Sequence, residues 1–197
     1  MKTTIAVFIM LAASALAAQN TLELMTESYD FETISRYDAA IRSMQQLVEI
    51  EPDNAFHHLR LGWLYYASGQ YAAAERHYAL AADIEPVLEA LEGRMNSASA
   101  QQKWSQAVAA ADEVLKRFPN HFYALASKAY AFYMQGEFEQ AVSFYRKALT
   151  IYPYNLEAMG YLLSAQMLNG DTQGGQKTLA KLQPLSPANA FVLEYAQ

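Results

Sequence analysis

The 197-residue sequence contains no cysteine. That absence excludes disulfide staples, thiol nucleophiles, thiolate metal ligands and a lipidated N-terminal cysteine. Basic residues are also scarce. Fourteen Lys and Arg stand against 20 Asp and Glu, a net charge of −6, and no Lys/Arg block occurs. A surface that neutralises a run of phosphates is therefore not expected, and nucleic acid is not a predicted partner. No glycine-rich phosphate loop, G-x-S-x-G or H-E-x-x-H is present, so the usual phosphate, nucleophile and zinc signatures are missing. His57 and His58 are neighbours, so on a helix they point about 100° apart and make a poor metal pair. His77 and His121 have no carboxylate at ligand spacing. Without close titratable pairs for acid–base work, the chain reads as non-enzymatic, with no cofactor and no metal.

Long apolar runs are confined to the beginning, "MKTTIAVFIMLAASALAAQN". Lys2 is a short positive region, Ile5 to Leu16 an apolar one, and Ala15-Leu16-Ala17 a small-x-small cleavage pattern. Residues 1–17 are predicted to be a signal peptide, cut after Ala17 or Ala18. The run is short for a membrane span, which needs about 20 apolar residues, so no transmembrane anchor is expected. Residues 18–197 are then a single exported domain, periplasmic in a bacterium and secreted otherwise. Hydrophobic residues make up 53% of the chain, enough for a sizeable core.

What is abundant is repetition. Pro52, Pro86, Pro119, Pro153 and Pro187 are spaced by 34, 33, 34 and 34 residues. Fifteen residues before each stands Tyr37, Tyr71, Trp104, Phe138 or Thr172, and three residues after those stands Ala40, Ala74, Ala107, Ala141 or Gly175. Three markers with one period signify a stacked array. Within one period His58, Leu61, Gly62 and Tyr65 fall on one helical face, and Ala74, Tyr78, Ala81 and Ala82 on a second. Gly69, Gly136 and Gly170 lie between such stripes, where a left-handed residue can end a helix. Asn54, Asn155 and Asn189 follow the prolines and can cap the next helix. Gly62 and Ala74 carry little or no side chain, so two helices can cross closely there.

The units "AFHHLRLGWLYYASGQYAAAERHYALAADIEP" and "FYALASKAYAFYMQGEFEQAVSFYRKALTIYP" resemble the tetratricopeptide repeat, a helix–turn–helix unit. The resemblance covers five units, 21–54, 55–87, 88–121, 122–155 and 156–189, with 190–197 as a C-terminal cap stub. It implies an all-α, right-handed solenoid of about five antiparallel helix pairs, with the first helix of each pair lining a concave groove. First-helix residues off the packing stripe are then candidate ligand contacts: Phe56, Arg60, Trp63 and Tyr66 in unit two, Glu92, Asn96 and Ser99 in unit three, Tyr123, Tyr130 and Tyr133 in unit four, and Tyr161 in unit five.

Trp63/Tyr66 and Tyr130/Tyr133 are aromatic pairs at equivalent places, and Asn96 and Ser99 make a polar floor between them. Tyrosine offers large contact area at low entropy cost and a polar tip, and Asn can both donate to and accept from a peptide backbone. The carboxylate clamp of some relatives is missing: Leu59, Trp63, Gly93, Glu157 and Tyr161 occupy that surface. The expected partner is thus a protein or peptide segment, neutral or basic rather than acidic-tailed. The alternatives are a self-assembling structural protein, given the apolar tail 190–197, and a cell-wall glycan binder, because aromatic faces also stack on sugars.

Overall fold

A computed structural model describes residues 19–196, and every regular element among them is helical. Residues 19–33 form α1. Then follow α2 (Tyr37–Ile50), α3 (Ala55–Ala67), α4 (Tyr71–Ile84), α5 (Leu88–Ala100), α6 (Trp104–Arg117), α7 (Phe122–Met134), α8 (Phe138–Ile151), α9 (Leu156–Leu168), α10 (Thr172–Leu182) and α11 (Ala190–Tyr195). The expected signal peptide lies outside the described residues. The helices follow the five sequence units as consecutive pairs, with α11 as the stub. None of them is long and apolar enough to cross a membrane. The chain divides into two compact units whose boundary falls between Ala90 and Leu91, within α5.

The turn inside each pair is the same device five times. The chain takes a positive φ at Ser35, Gly69, Gln102, Gly136 and Gly170, between 57° and 79°. The next residue's N–H then reaches back five residues: Arg36 to the Phe31 carbonyl, Gln70 to Tyr65, Lys103 to Ala98, Glu137 to Phe132 and Asp171 to Gln166, at 2.8–3.0 Å. The left-handed residue itself donates three residues back, as Gly69 does to Tyr66 at 3.0 Å. These two bonds together satisfy the carbonyls orphaned at a helix end. At the other ends the expected asparagines do cap. Asn54 accepts from Phe56 N and His57 N, Asn155 from Ala158 N and Asn189 from Phe191 N. Before α7 His121 takes their place, with Nδ1 accepting from Ala124 N at 3.3 Å.

In the first unit the core is Leu24, Ala40, Ile41, Met44, Leu47, Leu61 and Leu64. Each larger aliphatic side chain contributes about 1.5–3 kcal/mol by leaving water. Gly62 permits the close crossing of α3 and α4, since a Cβ there would stand 3.0 Å from the Tyr78 ring. The pair also buries imidazoles. His58 Nε2 lies 2.9 Å from the Pro52 carbonyl, which can only accept, so Nε2 carries the proton. His58 Nδ1 then accepts from His77 Nδ1 at 3.1 Å. Burial, then the neighbouring His58 and Arg76, push the His77 imidazole down to about 4.

Two clusters dominate the second unit. One gathers Phe122, Leu125, Ala129, Phe132, Val142, Tyr145 and Leu162. The other gathers Met159, Leu163, Leu179, Leu182 and Val192, the last from α11. The tail therefore packs onto the final pair. Phe191 lies so close over Gly160 that a Cβ there would meet its ring at 2.8 Å. Lys128 is nearly buried, pairs with Asp112, and sits 4.4 Å from the centroid of Phe144.

Candidate functional site

The candidate residues divide between the units. Phe56, Arg60, Trp63 and Tyr66 belong to the first; Glu92, Asn96, Ser99, Tyr123, Tyr130, Tyr133 and Tyr161 belong to the second. The Trp63–Tyr66 wall thus belongs to one unit, and the Asn96–Ser99 floor and the Tyr130–Tyr133 wall to the other.

In the first unit the side chains of α3 are tied to α1. Trp63 Nε1 donates to Glu32 Oε1 at 2.8 Å, and Arg60 Nη2 donates to Glu32 Oε2 at 2.6 Å. The Arg60 guanidinium also lies 4.1 Å from the centroid of Tyr29. Burial by itself would raise the Glu32 carboxyl, but the Trp63 and Arg60 hydrogen bonds and the Arg60 charge hold it below the usual carboxylate range. Arg60 is thus largely engaged within the chain. Trp63 is 45% exposed, so its ring remains accessible although its N–H is taken, and Phe56 is 47% exposed. Tyr66 is half-buried and meets Tyr71 edge-on across the turn at 5.3 Å.

In the second unit the aromatics converge on Tyr161. Its ring lies 5.1 Å from Tyr130, 5.4 Å from Tyr133, 5.2 Å from Phe191 and 6.0 Å from Tyr145, which it stacks in parallel. Trp104 extends the row beyond Tyr130 at 5.7 Å. Tyr133 Oη and Ser164 Oγ share a hydrogen bond at 3.0 Å. Tyr130, Tyr133 and Tyr161 are half-buried, so each presents part of a ring and is part of the packing. Tyr145 beneath them is buried, and its hydroxyl has no hydrogen-bond partner among the described residues.

Burial raises the Tyr145 phenol, with the hydroxyls of Tyr161, Tyr130 and Tyr133 and the Glu157 carboxylate adding to it. Tyr161 is raised by burial, then by Tyr130, Glu157 and Tyr133. These phenols therefore stay protonated at neutral pH and remain donors. Asn96 is exposed, and Glu92 pairs with His121 Nε2 at 3.2 Å. Tyr123 stands out at the start of α7, 65% exposed. Gly160 and Ser164, on the same helix as Tyr161, are covered by α11: Phe191 lies over the first and the Tyr195 hydroxyl is 3.5 Å from the second.

Glu32, Tyr29, Trp104, Tyr145 and Phe191 are members that the sequence reading did not place among the candidate contacts. A signal existed for two of them. Tyr29 occupies the repeat position of Trp63 and Tyr130, and Glu32 that of Tyr66 and Tyr133. The Glu32–Trp63 and Tyr133–Ser164 bonds are then one rung repeated, each joining consecutive first helices across 31 residues. No group of His, Asp and Glu among the described residues is arranged to hold a metal ion.

One tetratricopeptide repeat profile matches residues 35–91 and 132–191, and a second profile of the same description matches 94–155. The chain belongs to the tetratricopeptide repeat family. Solved structures agree on the fold. The chain is similar to the MamA protein, at 19% identity and a TM-score of 0.80, over 91% of this chain and 97% of that one. It is similar to a tetratricopeptide repeat protein from Parabacteroides merdae ATCC 43184, at 19% identity and a TM-score of 0.79, over 89% and 70%. It is also similar to PilW, a type IV pilus biogenesis factor, at 18% identity and a TM-score of 0.73, over 91% and 84%. At such identities the likeness establishes the fold alone. No protein of curated function matches in sequence.

Proposed function

We propose that this tetratricopeptide repeat protein is a non-enzymatic scaffold that holds a protein or peptide segment against its first-helix face, after export to the cell envelope. The observation that carries the reading is the tyrosine cluster of the second unit. Three half-exposed rings surround a buried phenol whose hydroxyl has no partner, and Glu157 stands exposed beside them. Such a surface supplies apolar ring area with polar tips, which suits an extended segment, and its carboxylate favours a neutral or basic one. Export rests on the charge and apolar pattern of residues 1–17. PilW, of the same fold, is a pilus biogenesis factor, an assembly role.

The test is capture from an envelope fraction by the chain from residue 18 onward, alongside a Tyr123→Ala/Tyr130→Ala variant of unchanged helical content. A discrete protein retained by the first and lost by the second supports the reading. Equal capture by both refutes it.

A further inference from the structure

The other side of α9 carries a second feature. Met159, Leu162 and Gln166 fall at i, i+3 and i+7 of that helix, roughly opposite Tyr161 and Ser164. They floor a cleft of about 350 Å³ between α8 and α10, with Leu149 on one wall and Arg146, Lys177 and Lys181 at the rim. Arg146 is paired across the cleft with Asp171 at 3.1 Å. Lys177 and Lys181 are exposed and meet no carboxylate among the described residues. Two unpaired ammonium groups beside an apolar hollow are unexpected in a chain of net charge −6.

The preceding repeat shows what fills this place. Thirty-four residues earlier, Thr178 corresponds to Phe144, Gln166 to Phe132 and Lys181 to Lys147. There Phe144 stacks on Phe132 at 5.7 Å, and the Lys147 ammonium sits 4.6 Å from the Phe144 centroid. In the last repeat Thr178 turns its hydroxyl to Gln166 at 2.7 Å, and no ring occupies the space. Gly174 on the same helix adds no side chain to close it. The cleft thus has the volume, the apolar floor and the cation of an aromatic-binding place, without the aromatic.

We infer that the α8–α10 cleft is a docking site for a partner segment that inserts a Phe or Tyr side chain flanked by Asp or Glu. The ring takes the place that Phe144 holds in the preceding repeat, and the flanking carboxylates meet Lys177 and Lys181. This site takes the opposite charge from the tyrosine face, and it lies on the other side of α9. The inference stands independently of the first-helix reading; where both hold, the protein carries two chemically different segments at once.

The probe is a fluorescein-labelled peptide, Gly-Ser-Asp-Glu-Phe-Asp-Glu-Ser-Gly, followed by anisotropy at low salt against the chain from residue 18 onward. Controls replace Phe by Ala or every acidic residue by Lys. The parent peptide is expected to bind about tenfold or more tighter than either control, the scale of one buried aromatic ring. Lys177→Glu/Lys181→Glu, which changes exposed positions only, should weaken it by a similar factor. Thr178→Phe/Gln166→Phe, which rebuilds the preceding repeat's pair, should abolish binding at unchanged helical content. Amide NMR shifts on the parent peptide should centre on residues 174–181. Binding that does not depend on the Phe, or that survives the charge reversal, overturns the inference. So does absence of binding at about 1 mM peptide, the weakest affinity of interest.

Discussion

Replacing Gln102 with Gly is expected to stabilise the protein. Gln102 has φ 58°, in the left-handed region, at the place where Gly69, Gly136 and Gly170 stand in other repeats. It is exposed, so a glycine there gives up little side-chain contact. A side-chain-bearing residue in this region costs about 1–2 kcal/mol. Glycine removes that cost but adds about 0.5–1 kcal/mol of backbone entropy to be lost on folding. The net gain is about 0.5–1 kcal/mol, or a few degrees in melting temperature for a chain of this size. Gly136→Ala is the mirror experiment. A Cβ at Gly136 meets nothing within 4 Å, so its cost is backbone alone, about 0.5–1 kcal/mol of lost stability.

The assay is equilibrium urea unfolding, with the slope checked for constancy. Stacked repeats need not unfold as one, so amide exchange over residues 98–104 reports the local change. Ser35→Gly should act as Gln102→Gly does. If Gln102→Gly lowers the midpoint, or Gly136→Ala raises it, the left-handed turn is not what limits these repeats.

Three further outcomes are expected. The folded His77 pKa of about 4 lies below its ordinary value of 6.5. Protons therefore bind the unfolded chain first, and stability is full above pH 6.5, falls towards pH 4 and levels below it. After screening at this half-exposed site the loss is about 1–2 kcal/mol. His77→Gln should flatten that slope in urea midpoints taken at several pH values, and an undiminished slope counts against it. Gly62→Ala pushes a methyl to 3.0 Å from the Tyr78 ring and should cost about 1–3 kcal/mol, read as faster amide exchange in α3 and α4. Asp112→Asn leaves the Lys128 ammonium without its carboxylate and should cost about 1–3 kcal/mol, whereas Lys128→Met should change the urea midpoint far less.

Much of the fold is legible in local chemistry. Pro52, Pro86, Pro119 and Pro153 each stand two residues past the end of a second helix, although α10 stops at Leu182, well before Pro187, and Asn54, Asn155 and Asn189 mark where the next first helices start. These are properties of short stretches of chain, so they survive without knowledge of what packs where. Glycine announced three of the five left-handed turns. Ser35 and Gln102 could be found only by register, because no side-chain chemistry advertises a strained φ.

The candidate tyrosines were also named from spacing, but spacing gives a face and not a partner. Only the distance between consecutive first helices decides that Trp63 bonds Glu32, that Tyr133 bonds Ser164, and that Tyr130 and Tyr133 meet Tyr161. The landing of Phe191 on Gly160, and the space left where Thr178 replaces Phe144, depend in the same way on two helices being brought close. Periodicity is written residue by residue along the chain. Which side chain fills a neighbour's space, and which leaves it open, is a matter of a few ångströms between segments that the chain brings together only on folding.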